Sequence, residues 1–171
     1  MRTHYPGRIA PSASTTTARA SAGPLLDHLG RLVRSGGESA LARLGLRPRH
    51  LVALTILRDH GGEIRQQRMA AALQIDGTNL VGLLNHLEAA GLVERRRSPE
   101  DRRRHVVELT GAGRRRLAQA EDALAALEDE LLGALDDGER ETLYRLLRKA
   151  TGGQAGCAGQ AAACAGDDAG C

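Results

Sequence analysis

The chain has 171 residues, of which 42% are hydrophobic, and its only aromatic residues are Tyr5 and Tyr144. A core of Leu, Val, Ile and Ala without rings favours packed helices over a β-sandwich. The net charge is only +3, but arginines concentrate at residues 95–104 and acids at residues 121–141. No apolar run is long enough to span a bilayer or to form a secretory signal. We therefore expect a cytoplasmic protein that makes no membrane contact.

The amino-terminal part of the chain changes character at Pro24. Residues 1–23 are rich in Ser, Thr, Pro, Gly and Ala, so burial cannot repay the entropy of ordering them. Beyond them, apolar residues recur at helical spacing from Leu25 to Val33, and Pro24 suits a first helical turn. We expect a flexible arm followed by a helix that ends near residues 35–37.

Three further helical patterns occupy the middle of the chain. The first is apolar from Leu51 to Leu57 and stops at residues 61–62, which are both glycine. The second covers residues 66–73 and the third about 78–90. Two short helices joined by so tight a break are typical of a helix-turn-helix. In the third helix the predicted buried stripe consists of Leu80, Leu83, Leu84 and Leu87.

A basic β-hairpin is predicted directly after the third of these helices. Gly91 suits the end of that helix, and β-compatible residues at 92–93 and 106–109 flank a tip containing Pro99. Guanidinium groups form paired hydrogen bonds with phosphate oxygens and fit narrow minor grooves. The hairpin and the helix-turn-helix together predict binding to double-stranded DNA. The six arginines projected by the tip are Arg95, Arg96, Arg97, Arg102, Arg103 and Arg104.

Two more helices and a low-complexity tail complete the chain. Thr110 is a good N-cap for a long helix whose apolar residues, from Leu117 to Ala134, fall at heptad positions and predict a partner helix. A break at residues 136–138 precedes the last helix. Residues 151–171 are rich in Gly and Ala, which predicts a disordered tail. All three cysteines lie in that tail, at Cys157, Cys164 and Cys171.

Several short motifs between Leu46 and Gly113 occur in a specific combination. They are Met69-Ala70 with Leu73, the run at 87–93, Arg95, Pro99, the run at 101–103, and Leu109-Thr110 with Gly113. With these motifs the chain resembles the MarR family of bacterial winged helix-turn-helix regulators. The resemblance implies a mainly α fold with a two-stranded β-hairpin wing and with dimerisation helices at both ends. It also implies a homodimeric, sequence-specific transcriptional regulator, a repressor released by a small-molecule ligand, that is not an enzyme and has no cofactor.

The composition of the two ends, together with the family resemblance of the chain between them, divides the chain into five parts. These are a flexible arm at 1–23, an N-terminal dimerisation helix at 24–45, a winged helix-turn-helix domain at 46–110, C-terminal dimerisation helices at 111–150, and a disordered Gly/Ala/Cys tail at 151–171.

Roles of individual residues follow from the resemblance by position. Asp101 would orient Arg103 toward the minor groove, while Thr78 and Asn79 would lie near base edges in the major groove. Val81-Gly82 departs from the family pattern, in which many relatives have a hydroxyl residue followed by Arg, so the operator sequence cannot be carried over. The expected DNA-contacting residues are Gln66, Gln67, Arg68, Thr78, Asn79, Gly82, Asn85, Arg95, Arg97, Asp101, Arg102, Arg103 and Arg104.

An effector site is expected between the dimerisation helices and the winged domain, because the family layout implies a cleft there. The basic side chains near this position would suit an anionic compound. They are Arg43, Arg47, Arg49 and His50.

Alternative functions remain open at this point. The three tail cysteines could form a redox switch by exchanging disulfides across a dimer. A metal sensor would need His28 or His50 to meet acids such as Asp27 or Glu38. A dimeric helical interaction protein without DNA binding would explain the heptad but not the arginines. An enzyme has little support, since Gly111-Ala112-Gly113 lacks the third glycine and the parallel strands of a dinucleotide site.

Overall fold

The computed structural model describes residues 21–97 and 105–152. Most of the expected arm, the hairpin tip and the cysteine tail therefore lie outside the described residues, and the expectations for them remain predictions. None of the helices in the two described ranges is both long and apolar enough to cross a lipid bilayer. The elements of these ranges are α1 (Gly23–Arg43), α2 (Pro48–Asp59), β1 (Glu63–Arg65), α3 (Gln66–Leu73), α4 (Gly77–Ala89), β2 (Val93–Arg97), β3 (His105–Leu109), α5 (Gly111–Leu131) and α6 (Asp137–Ala150).

The core lies in the middle of the chain, where α2, α3, α4 and the start of α5 surround one face of the sheet. The predicted leucine stripe of α4 is confirmed, because all four of its members are buried. Across a helix, residues three and four apart share a face, so this stripe turns the polar residues of α4 outward. The largest fully buried side chains are Leu54, Leu57, Met69, Leu80, Leu84, Leu87, Val107 and Leu117.

The sheet has three antiparallel strands in the order β1-β3-β2, rather than the two strands predicted. The hairpin of β2 and β3 is confirmed, with Val93 opposite Leu109 and Arg97 opposite His105. β1 pairs with β3 through Ile64 opposite Val107, and both of these side chains are buried. A strand of three residues is too short to show alternation, which is why the sequence did not reveal it.

The expectation that the first helix ends near residues 35–37 is wrong, because α1 continues to Arg43. The glycines serve close helix packing instead. A Cβ atom at Gly36 would approach Leu127 Cδ1 of α5 to 2.7 Å, and one at Gly37 would lie 3.5 Å from Leu124 Cδ2. The two glycines therefore let α1 and α5 cross closely, so that α1 covers part of the α5 heptad.

Candidate nucleic-acid interface

The turn between α3 and α4 fixes where the outward face of α4 begins. Gln74 adopts a left-handed conformation with φ 55°, and the next N–H, from Ile75, donates to Ala70 O at 3.1 Å. Asp76 then caps α4 by accepting from the Asn79 backbone N–H at 2.9 Å. This hydrogen bond is the main reason why the pKa of Asp76 lies below its usual range. The Asn79 side chain also donates to Asp76 Oδ2, at 2.6 Å.

The predicted contact residues of α4 come together on its outer side. Thr78, Asn79 and Asn85 are exposed, and Gly82 is partly exposed. Thr78, Gly82 and Asn85 follow at helical spacing on the side opposite the buried leucines. The structure thus places a polar, solvent-facing strip on the helix that the resemblance makes the recognition helix.

A groove of about 420 Å³ lies beside the amino-terminal ends of α3 and α4. Two residues predicted to contact DNA, Gln66 and Gln67, line this groove. The next residue, Arg68, is exposed but is not part of the lining. His105 of β3 also lines the groove. The first turn of α3, the start of α4 and the hairpin therefore border one continuous concave surface.

Two of the arginines expected to project from the hairpin, Arg95 and Arg96, form ion pairs with carboxylates of the protein. Arg95 is only 25% exposed and pairs with Glu88 of α4. Arg96 pairs with Glu94 at 3.1 Å and with Glu108 at 3.1 Å, on the outer face of the sheet. Glu94 lies directly opposite Glu108, so Arg96 offsets the repulsion between these two carboxylates. The hydrogen bond from Arg96 also holds the pKa of Glu94 below its usual range.

The remaining hairpin residues divide between exposed and undescribed positions. Arg97 is exposed at the last described position of β2. Asp101, Arg102, Arg103 and Arg104 lie outside the described residues, so the proposed orientation of Arg103 by Asp101 remains a prediction.

The hairpin is joined firmly to α5 at Thr110. Its hydroxyl accepts from the Gly113 N–H at 2.9 Å, as predicted for an N-cap, and donates to Gly91 O at 2.7 Å. Gly91 has φ +68° and ends α4 as predicted, with the Leu92 N–H donating to Leu87 O at 2.9 Å. One small junction thus connects the recognition helix, the hairpin and α5.

A second cleft, of about 370 Å³, lies between the end of α1, the start of α2 and α4. Of the four residues expected at an effector site, Arg47 and His50 line it, whereas Arg43 and Arg49 are not among its lining residues. His86 of α4 faces His50 with ring centroids 6.1 Å apart. Burial lowers the pKa of His50, and the neighbouring His86 and Arg47 lower it further.

Sequence reasoning missed two members of this interface, Asp76 and Glu88. Asp76 could have been found, because an Asp just before a predicted helix is a common N-cap. Glu88 had no such signal, since its partner Arg95 lies on another element. In residues 21–97 and 105–152, no three His, Cys, Asp or Glu side chains are arranged to hold a metal ion.

Comparison with known proteins identifies the family. A profile of the MarR family matches residues 44–104. Over 145 residues the chain is 30% identical to the putative transcriptional regulatory protein for the hcr operon of Thauera aromatica, a match that covers 80% of this chain and 87% of that protein. The chain belongs to the MarR family. It is accordingly a transcriptional regulator and not an enzyme.

Two further MarR-type proteins extend the comparison. The HTH-type transcriptional repressor NicR of Pseudomonas putida is 35% identical over 98 residues, which cover 57% of this chain and 61% of NicR. The crystal structure of a mutant MarR from E. coli complexed with operator DNA aligns with a TM-score of 0.58 and 26% identity, over 75% of this chain and 92% of that one. This winged-helix fold agrees with the mainly α architecture expected from the sequence.

Proposed function

We propose that this MarR-family regulator is a homodimeric repressor that binds a specific operator with α4 in the major groove and the hairpin wing over the flanking minor groove. The observation that carries the proposal is the solvent-facing polar strip of Thr78, Gly82 and Asn85, held opposite a buried leucine stripe. The groove at Gln66 and Gln67 continues this surface toward the wing. The similar E. coli protein forms a complex with operator DNA, which supports the same use of this surface.

The homodimer is supported by apolar surface on the terminal helices. Leu25 of α1 is 72% exposed and Leu146 of α6 is 56% exposed. α6 has no buried residue. These exposed apolar side chains support an interaction site on the terminal helices, and a second copy of the chain would cover them in a symmetric dimer. The segments 24–45 and 111–150 would then be the dimerisation helices.

Release by a small-molecule effector is the regulatory part of the proposal. The cleft at Arg47, His50 and His86 touches both α2 and the recognition helix α4, so an occupant that fits one arrangement better would shift the position of α4. Arg47 lines the cleft and favours an anionic compound; Arg43 and Arg49 are next in sequence to the lining residues Ala42 and His50 and would add positive charge to the same region. The repressor role is supported by the similarity to NicR.

The test is fluorescence anisotropy on the intergenic DNA beside the protein's own gene, across a salt series. We expect specific binding that falls steeply as salt rises, because phosphate contacts release counterions. Arg103→Ala should weaken binding by about 1–3 kcal/mol and lower the salt slope. Arg58→Ala is the matched control, since Arg58 is an arginine of α2 that pairs with Glu121 and is not among the residues proposed to contact DNA, effector or partner. Binding no tighter than to random duplex in both low and high salt would contradict the proposal.

A further inference from the structure

The Arg95 side chain lies between the recognition helix and the wing. Its Nε donates to Glu88 Oε2 at 2.9 Å, and its backbone N–H donates to Glu88 Oε1 at 3.2 Å. Its Nη2 donates to Asn85 Oδ1 at 2.8 Å. Because Glu88 and Asn85 belong to α4 while Arg95 belongs to β2, one guanidinium holds two side chains of the helix from the strand.

This contact decides which way the Asn85 amide points. A guanidinium has only donors, so the amide atom that it touches must be the oxygen. The amide oxygen and nitrogen can otherwise exchange places with little change in shape. With Oδ1 directed at Arg95, the exposed Asn85 side chain presents the two hydrogens of Nδ2 away from the guanidinium.

A fixed amide of this kind distinguishes the purines. In the major groove guanine presents two adjacent acceptors, N7 and O6, whereas adenine presents the N7 acceptor beside the N6 donor. The usual pairing of Asn with adenine needs the amide oxygen to accept from N6. Here that oxygen already accepts from a cation, which also repels the adenine amino group and attracts the guanine edge.

We propose that Asn85 acts as a hydrogen-bond donor to the operator and selects guanine over adenine at one base pair of each half-site, with Arg95 as the residue that positions it. The inference rests on the proposed DNA binding and adds to it the base edge that is read. It also gives Arg95 a role through Asn85 rather than through phosphate.

The experiment is selection of binding sites from a randomised duplex library with the full-length protein. Wild type should enrich guanine over adenine at one position by about tenfold, which is within the usual discrimination of a specific base contact. Asn85→Ala should erase this preference and leave the other positions unchanged. Arg95→Lys should reduce it, because a lysine ammonium on a flexible stem does not fix two partners at once. Asn79→Ala is the comparison variant: Asn79 is itself a predicted DNA contact and its amide is held by Asp76, so its loss should alter affinity or the preference at another position and leave the preference at this position intact.

A second measurement avoids dependence on how well the Arg95 variant folds. The selected guanine is replaced with 7-deazaguanine, which lacks the N7 acceptor, and the wild-type and Asn85→Ala proteins are titrated with both duplexes. Wild type should lose affinity several-fold and Asn85→Ala should lose none.

Three outcomes would overturn this inference alone, and a fourth would overturn the proposed function as well. Enrichment of adenine by wild type, or an Asn85→Ala variant that weakens all sequences equally, would overturn the inference while DNA binding stands. Equal sensitivity of both proteins to 7-deazaguanine would do the same. Absence of any salt-dependent binding by wild type would overturn the proposed function together with the inference.

Discussion

The winged region and the terminal helices of this chain bury their apolar residues to very different degrees. In the winged region, Leu54, Leu84 and Val107 are completely inaccessible to solvent. In the terminal helices, Leu25 and Leu146 are more than half exposed, and α6 buries nothing. Within the described residues, one chain therefore suffices to complete the core of the winged region, whereas the terminal helices leave apolar side chains uncovered.

The largest effect should come from removing a side chain of the winged core. Leu84→Ala should lower the free energy of unfolding by about 2–5 kcal/mol, because it loses buried apolar surface and leaves a cavity. Leu146→Ala is the matched substitution on α6, and it should act mainly through association, raising the dissociation constant of the dimer while costing less stability per folded chain than Leu84→Ala. Urea unfolding at several protein concentrations measures both. A Leu84→Ala loss below about 1 kcal/mol would remove the contrast between the two regions.

The next effect tests how tightly α5 is seated on the winged region. A Cβ atom at Gly113 would collide with the Leu92 carbonyl oxygen and lie 2.7 Å from Leu109 Cδ1. Since backbone cannot yield easily, Gly113→Ala should lower the free energy of unfolding by about 1–3 kcal/mol. Gly111→Ala is the control in the same helical turn, where the nearest atom is a flexible Arg115 nitrogen at 3.6 Å. Equal stability of the two variants would show that the junction is loose.

A gain in stability is expected at Gly82. A Cβ atom there would meet nothing within 4 Å, so Gly82→Ala should raise the free energy of unfolding by up to about 1 kcal/mol through helix propensity. Anisotropy titration then decides what the glycine is for. Weaker operator binding by the stabilised variant would show that Gly82 permits close approach to the duplex, and unchanged binding would show that it is neutral.

The smallest effect is a pH dependence centred on His50. Its Nδ1 accepts from the Arg47 N–H at 3.2 Å, so protonation would remove an acceptor at the start of α2. Because the pKa of His50 is lower in the folded state than its ordinary value of 6.5, the unfolded state binds more protons below that pH. The contribution of neutral His50 to the free energy of unfolding is therefore complete above pH 6.5, and it is lost as the pH falls through the lowered pKa of His50 in the folded state.

His50→Gln should therefore flatten the fall in stability between neutral and mildly acidic pH. Thermal or urea unfolding across this range measures the slope, with His28→Gln on the exposed face of α1 as the control. An unchanged slope in His50→Gln would assign the pH dependence to other groups.

The sequence predicts those helices and strands in which a periodic pattern of apolar residues ends at a capping residue or a turn residue. The leucine stripe of α4, the Thr110 cap and Gly91 all combine periodicity with a capping residue, and all three are found. The end of α1 is missed because a glycine pair at a helix crossing looks like a helix terminus until α5 is seen beside it. The short strand β1 gives too few residues for a pattern.

The candidate site is less predictable than the fold. Composition shows that the hairpin is basic, but it cannot show that Arg95 turns inward to Glu88 while Arg97 stays exposed. That difference depends on which side chains of α4 meet the β2 strand, and those pairs follow no spacing in the sequence. The roles of Asp101 and Arg103 stay predictions, because both lie outside the described residues.

The junction at Thr110 has a mechanical consequence for regulation. Because the Thr110 hydroxyl, Gly91 and Gly113 bind the wing and α4 to the first turn of α5, these parts would rotate together. α5 has 21 residues, so at the usual helical rise it is a lever about 30 Å long. In a dimer, a tilt of a few degrees about the far end of this helix would displace α4 by about an ångström or more and so change its distance from the α4 helix of the second copy.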